Sequence, residues 1–402
     1  MVFNPAMHSL RIYPIQGLTW YVAQAGIKKE KLNDLSVMVL DSGTVGAVFT
    51  KNQFCAAPVK VCKYHLSIAP SIKALVINTG NANAGTGEKG WNDALLVCQS
   101  LATKLACQTE QILPFSTGVI MQPLPVDKII TGLNKLQPAH WEEVASAIMT
   151  TDTVPKLYSC SFTIQGKKVH ITGVAKGSGM IHPNMATLLS FVATDASIHP
   201  KVLNQLLRET VEDSFNSISV DGDTSTNDSF VLIATGKSNL VLKDTYSTEY
   251  VLFRQALQQA LTYLAKAIVK DGEGATKLIS IYVCQAESRA EAKKVGYRIA
   301  TSPLVKTAFF ASDANLGRIL CAIGNSEIEN FNPNQLRLFL NETLVFEQGA
   351  VSSTYTEALG QKILAQEEIQ IQLELGRGIA AATIYTCDLS YDYIRINAAY
   401  RT

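Results

Sequence analysis

Short apolar, β-branched runs alternate along the chain with longer stretches whose apolar residues recur every three or four positions. The runs "LSVMVL" (35–40), "VGAVFT" (45–50), "KALVINTG" (73–80), "KVHITGVA" (168–175), "SFVLIATG" (229–236), "ISIYVC" (279–284) and "IQIQLEL" (369–375) predict strands, by their length and the turn residues flanking them. Between them lie helical patterns. "WNDALLVCQSLATKL" (91–105) sets Leu95, Cys98, Ala102 and Leu105 on one stripe. "KVLNQLLRETVEDSF" (201–215) does so with Leu203, Leu206, Leu207, Val211 and Phe215, and "YVLFRQALQQALTYLAKAIV" continues the pattern from Val251 to Ile268. The mixture predicts an α/β or α+β protein, with sheets covered by helices. "SRAEAKKVGYRIATSP" (288–303) predicts a helix beside a domain seam, dividing the chain into 1–287 and 288–402.

Composition narrows the class. At 402 residues the chain can bury a large core, and its 47% hydrophobic and 17% charged residues suit a well-packed soluble enzyme. Thirty-five Lys+Arg against thirty-four Asp+Glu, without a basic run, exclude the electrostatic footprint of a nucleic-acid binder. The N-terminal stretch carries Pro5 and Pro14 and lacks an apolar core, so no signal peptide is expected. No apolar run reaches the ~18 residues of a membrane span. Eight cysteines without a CxxC predict buried thiols in a reducing compartment, hence a cytoplasmic protein.

Several stretches can carry chemistry. "AKGSGM" (175–180) fails as a phosphate loop, because Lys176 precedes its glycines. "GNANAGTGEKG" (80–90) lacks GxGxxG and predicts backbone turns at positive φ. "FSTGVI" (115–120) reads as a tight turn after a strand, or as a hydroxyl (Thr117) and an unhindered N–H (Gly118) able to hold an oxyanion. "MTTDTVPK" (149–156) reads as a capped turn, or as hydroxyls for a substrate carboxylate. "VKDGEGATKL" (269–278) reads as an exposed acidic turn closing a helix. "SVDGDTSTNDSF" (219–230) is acidic, but it lacks the register of a calcium loop and its closing glutamate.

Ala186-Thr187 poses a sharper question. A threonine hydroxyl is a weak nucleophile unless a base adjoins it. If threonine begins a chain, its own α-amine, with a pKa of about 7.7–8.0, is that base. Self-cleavage by attack on the Ala186 carbonyl creates such an end. Pro183 favours an extended backbone at His182 ahead of the bond.

With these stretches in order, the chain resembles the ornithine acetyltransferase (glutamate N-acetyltransferase) family of arginine biosynthesis, which cleaves itself and uses an N-terminal threonine. "VFTKNQFCAAPV" (48–59), "NTGNANAGTGEKG" (78–90), "STGVI", "MTTDTVPK", "GVAKGSGMIHPNMATLLSFVATDA" (173–196), "SVDGDTSTND", "DGEGATKLI" (271–279), "SPLVKTAFFASDANLGRI" (302–319) and "CDLSYDYIRINAAYRT" (387–402) carry it. The resemblance implies a layered helix–sheet–sheet–helix sandwich with a smaller C-terminal α/β domain. It implies cleavage between Ala186 and Thr187, with Thr187 as nucleophile and Thr117 and Gly118 as the oxyanion pair. The substrate-binding positions it implies are Lys176, a threonine of "TTDT" (Thr150 or Thr151), Thr187, Glu273, Asn397 and the terminal Thr402.

The implied reaction is ping-pong acetyl transfer from N2-acetyl-ornithine to glutamate through an acetyl-Thr187 ester. Some members also take acetyl-CoA as donor. No cofactor or metal is implied, and the two cleavage fragments are implied to assemble as an α2β2 heterotetramer. Four positions depart from the family's pattern: Gly85 replaces a bulkier residue, Met121 a glycine, Leu316 a tryptophan and Ala399 an acidic residue. Two rivals remain: a self-processing amidase or aminopeptidase of related architecture, and a non-catalytic or nucleotide-binding α/β protein using its glycine loops.

Overall fold

The computed structural model describes residues 11–28, 32–182 and 188–399. From the N-terminus its elements are β1 (Leu18–Ala23), β2 (Leu35–Leu40), β3 (Thr44–Phe49), α1 (Ala57–Ile68), β4 (Ala74–Asn81), α2 (Gly87–Leu105), β5 (Ile112–Val119) and α3 (Val126–Leu133). Then come β6 (Gln137–Ala139), α4 (Trp141–Ala147), β7 (Lys156–Ile164), β8 (Lys167–Lys176), β9 (Leu189–Thr194), β10 (Ser197–Ile198) and α5 (Pro200–Glu212). They are followed by β11 (Ile218–Ser219), β12 (Ser229–Ala234), β13 (Val241–Leu242) and α6 (Thr248–Lys270). The last are β14 (Leu278–Ala286), α7 (Arg289–Ala300), α8 (Pro303–Phe310), α9 (Leu316–Gly324), β15 (Arg337–Leu340), β16 (Thr343–Glu347), β17 (Ala350–Val351), α10 (Glu357–Leu364), β18 (Glu368–Glu374), β19 (Ala380–Cys387) and α11 (Tyr391–Ala398).

The described residues fall into two units, one within 1–177, 184–216 and 224–264, the other within 178–183, 217–223 and 265–402. The expected seam at 287/288 lies inside the second unit, because β14 pairs in parallel with β18 and antiparallel with β19. All seven apolar runs named above form strands and the three long patterns form α2, α5 and α6.

The first unit has two five-stranded sheets, ordered β5-β4-β2-β1-β6 and β3-β12-β9-β8-β7. Strands of the first sheet are apolar on both faces, and their period of two sorts them between layers. Leu35 and Val37 of β2, with Ala74 and Val76 of β4, join Val97, Cys98 and Leu101 of α2. Met38, Leu40, Leu75 and Ile77 point the other way, into a core shared with Phe191, Val231 and Ile233 of the second sheet. Phe191 meets Phe115 edge-on with ring centroids 5.1 Å apart, a geometry worth about 0.5–1.5 kcal/mol beyond its buried area. The outer face of the second sheet takes α5, where Gly46 leaves room for Leu207: a Cβ there would lie 2.6 Å from its Cδ1. Helix, sheet, sheet and helix thus form four layers. The buried stripe of α2 runs through Ala94, Val97, Cys98, Leu101 and Ala102, one position off that expected, with Leu95 and Leu105 half-buried.

The second unit is built on a seven-stranded sheet, β11-β19-β14-β18-β15-β16-β17. Ile281 and Val283 of β14, Ile371 of β18 and Ile384 of β19 pack with Ile299 of α7, Phe309 of α8 and Ile323 of α9. Among the described residues no helix is long and apolar enough to cross a membrane. The eight cysteines are free thiols, but only Cys62, Cys98 and Cys387 are fully buried, and Cys321 is exposed.

Candidate active site

Three stretches of the first unit converge on one ammonium group. Lys176 closes β8, and its Nζ donates to Thr150 Oγ1 at 2.6 Å and to Thr117 Oγ1 at 3.3 Å. "FSTG" is therefore the end of strand β5 rather than a turn, and it carries Thr117 into the site. Within "TTDT", the Thr150 hydroxyl accepts from Lys176. Each hydroxyl accepts from the ammonium through its oxygen, which leaves its own O–H to donate. The cluster is suited to receiving negative charge.

Asp152 holds Lys176 in place. Its carboxylate lies 3.8 Å from Lys176 Nζ, accepts from Lys156 Nζ at 2.6 Å and Gly177 N–H at 2.7 Å, and takes the Thr150 N–H at 2.9 Å. Burial raises its pKa, but the Lys176 and Lys156 charges and the donated bonds outweigh that and hold the carboxyl well below the usual range. Asp152 therefore stays ionised beside Lys176.

Gly118 could be no other residue. Its φ is +134°, and a Cβ there would stand 2.3 Å from the Gly80 carbonyl carbon. The parallel β4–β5 register shifts at this point, with Asn81 opposite both Thr117 and Val119. Two of the departures from the family's pattern answer each other nearby. Met121 adopts φ +63°, a conformation suited to glycine, and donates its N–H to Ala84 O at 2.8 Å. A Cβ on residue 85 would come within 3.1 Å of Met121 Cγ, so Gly85 makes the room that Met121 uses.

The second unit gathers two more of the expected residues. Glu273 is buried, and its Oε2 accepts from Asn397 Nδ2 of α11 at 2.8 Å. Its N–H donates to Ser178 O at 2.8 Å, and a Cβ on Gly179 would lie 2.3 Å from the Glu273 carboxylate. "DGEG" is accordingly not an exposed acidic turn at Glu273. Of the other departures, Leu316 starts α9 in the second core and Ala399 is exposed after α11. Ala186, Thr187 and Thr402 lie outside the described residues.

Sequence reasoning missed Asn227 and Asp228, which it weighed only as members of an acidic loop. Asp228 is fully buried, and its Oδ2 has no hydrogen-bond partner among the described residues. Burial pushes its carboxyl well above the usual range, against the pull of Ser225, the Lys176 charge, Thr50 and the Leu188 N–H. A carboxyl whose folded pKa is raised binds its proton more tightly when folded, so its contribution to stability falls as pH rises above the ordinary carboxylate range. Asp228→Asn keeps the shape and removes the titration. Its Tm relative to the parent should climb with pH; a difference that is constant across pH contradicts the buried neutral acid.

A four-layer sandwich carrying an ammonium-backed pair of hydroxyls beside a glycine at positive φ has the parts of an acyl-transfer enzyme. The ArgJ family model matches residues 19–402. The arginine biosynthesis bifunctional protein ArgJ of Neisseria meningitidis serogroup A is 53% identical over 391 residues, 96% of each chain. The protein of that name from Colwellia psychrerythraea is 50% identical over 419 residues, 99% of each chain. The solved arginine biosynthesis bifunctional protein ArgJ of Bacillus halodurans is 40% identical with a TM-score of 0.50, covering 52% of this chain and 98% of its own. The chain belongs to the ArgJ family.

Proposed function

We propose that this protein is an arginine-biosynthesis acetyltransferase that cleaves itself between Ala186 and Thr187 and then moves an acetyl group from N2-acetyl-ornithine to glutamate. The observation that carries the reading is the Lys176 ammonium held on Thr117 and Thr150, in a chain matched by the family from residue 19 to its last. Thr187 Oγ attacks the acetyl carbonyl while its own amine takes the proton. The oxyanion is met by the Thr117 hydroxyl and the Gly118 N–H. Ornithine leaves with the proton, and the glutamate amine attacks the ester on Thr187. Lys176 and Thr150 take the substrate carboxylate, while Glu273 and Asn397 serve substrate binding as the resemblance implies.

The names of the Neisseria and Colwellia relatives, "bifunctional", support acetyl-CoA as a second donor for glutamate acetylation. The solved Bacillus chain supports cleavage: matched over nearly all of its own length, it spans only about half of this one, the size of a piece left by a cut at 186/187. The two pieces stay together as an α2β2 assembly, for which native mass measurement is the check. Initial rates with N2-acetyl-ornithine and glutamate varied together should give parallel double-reciprocal lines, since the acetyl group rests on the enzyme between half-reactions. Intersecting lines would replace this mechanism with direct transfer. Rapid hydrolysis of amino-acid amides would make the protein an amidase instead.

A further inference from the structure

The "STND" stretch takes part in none of the steps above, yet its asparagine reaches the strand that carries the oxyanion pair. Asn227 is buried, and its Nδ2 donates to Ala82 O at 2.6 Å and to Ser116 O at 2.9 Å. Its Oδ1 accepts from Thr226 Oγ1 at 2.7 Å. A carbonyl oxygen at each of the first two contacts requires the amide nitrogen there, so the orientation is fixed and both hydrogens are used. These partners are 145 and 111 residues distant in the chain. Ala82 directly follows β4, and Ser116 lies within β5.

The place matters because the ladder between β4 and β5 is irregular here, shifting between Gly80 and Asn81. A buried carbonyl that loses its regular partner needs another donor. The Ser116 carbonyl also belongs to the same rigid peptide group as the Thr117 N–H, so a bond to the oxygen fixes the plane from which Thr117 departs. On the other side the Ser116 hydroxyl donates to Asn78 Oδ1 at 2.5 Å, and Asn78 Nδ2 donates to Asn81 O at 2.8 Å. Ser116 is thus held through both its side chain and its carbonyl, immediately before the two residues whose donors must be aimed.

We propose that Asn227 is a positioning residue for acyl transfer, locking the Ser116 peptide so that Thr117 and Gly118 present their donors to the developing oxyanion. This rests on the oxyanion role given to that pair under the proposed function. Oxyanion donors act at 2.7–3.1 Å, and a displacement of about 1 Å can cost as much as 10²-fold.

Asn227→Asp is the direct test: it keeps the shape but sets an oxygen against two carbonyl oxygens, removing both donated bonds. With labelled N2-acetyl-ornithine in single-turnover mode, the acetylation rate should fall about 10- to 100-fold. Ornithine affinity, measured separately by calorimetry, should be unchanged, and self-cleavage should slow because it passes through a similar oxyanion. Thr226→Val removes only the hydroxyl that orients Asn227 Oδ1; it should give a smaller loss of rate and serves if the first variant does not fold. A folded variant that acetylates at the parental rate overturns the proposal. So does a fall in rate matched by an equal loss of ornithine affinity, since that is the signature of a merely structural residue. Thr117→Ala run alongside separates the two claims: parental rates there remove the oxyanion assignment itself, whereas a slow Thr117→Ala beside a normal Asn227→Asp removes only this one.

Discussion

Thr187→Ala is expected to yield a single uncut chain with acetyl-transfer turnover reduced by about 10⁴–10⁶-fold, the scale seen when a nucleophile is removed from an acyl-transfer site. Two losses coincide in this one substitution. Without the hydroxyl nothing attacks the Ala186 carbonyl, so the peptide bond stays closed. Without cleavage there is no α-amine at position 187 to act as base. Intact-mass analysis of the parent protein should show two species, residues 1–186 and 187–402. Thr187→Ser keeps both hydroxyl and amine and should restore cleavage and part of the turnover. A parent protein that is fully active while uncut contradicts the mechanism.

The next largest effect is expected from Thr117→Ala, a fall in kcat of about 10²–10³. Thr117 Oγ1 accepts from Lys176 Nζ at 3.3 Å, an interaction that polarises its own O–H toward donation. Removing it leaves Lys176 on Thr150 at 2.6 Å and beside Asp152 at 3.8 Å, so the cation should stay in place and substrate affinity should change little. The deficit belongs to the transition state, where the oxygen charge is largest. Self-cleavage should slow as well. Unchanged kcat and cleavage in this variant would take Thr117 out of the chemistry.

How much of this was legible in the sequence follows from the range of the interactions concerned. The strands that the apolar runs predicted are specified locally, by burial on both faces in β2 and β12 and by alternation of buried and exposed residues in β18. The long helices are specified by their stripes, and their boundaries moved by only a few residues. β5 was read as a turn at its end because Gly118 interrupts the run and glycine is depleted in strands; what makes it a strand is its parallel partner β4, about forty residues earlier. Glu273 looked exposed because nothing local shows that Gly179 lacks the Cβ that would strike its carboxylate. The roles of Asn227 and Asp228 were invisible for the same reason, since the bonds of Asn227 to Ala82 and Ser116 cross more than a hundred residues. Gly85 and Met121 were noted as separate departures, and only their contact shows that one accommodates the other. The domain seam was misplaced because β14, a short apolar run like any other, owes its unit to pairing with strands about ninety residues later.

The covalent acetyl group on Thr187 is the central claim, and one measurement reaches it directly. Enzyme is incubated with isotopically labelled N2-acetyl-ornithine in the absence of glutamate, quenched in acid and separated into its fragments, each then mapped by mass spectrometry. The account predicts a single labelled acetyl group on the fragment beginning at residue 187, located on its first residue and discharged when glutamate is added before quenching. Both fragments remaining unlabelled, in a preparation that turns over when glutamate is present, would contradict it.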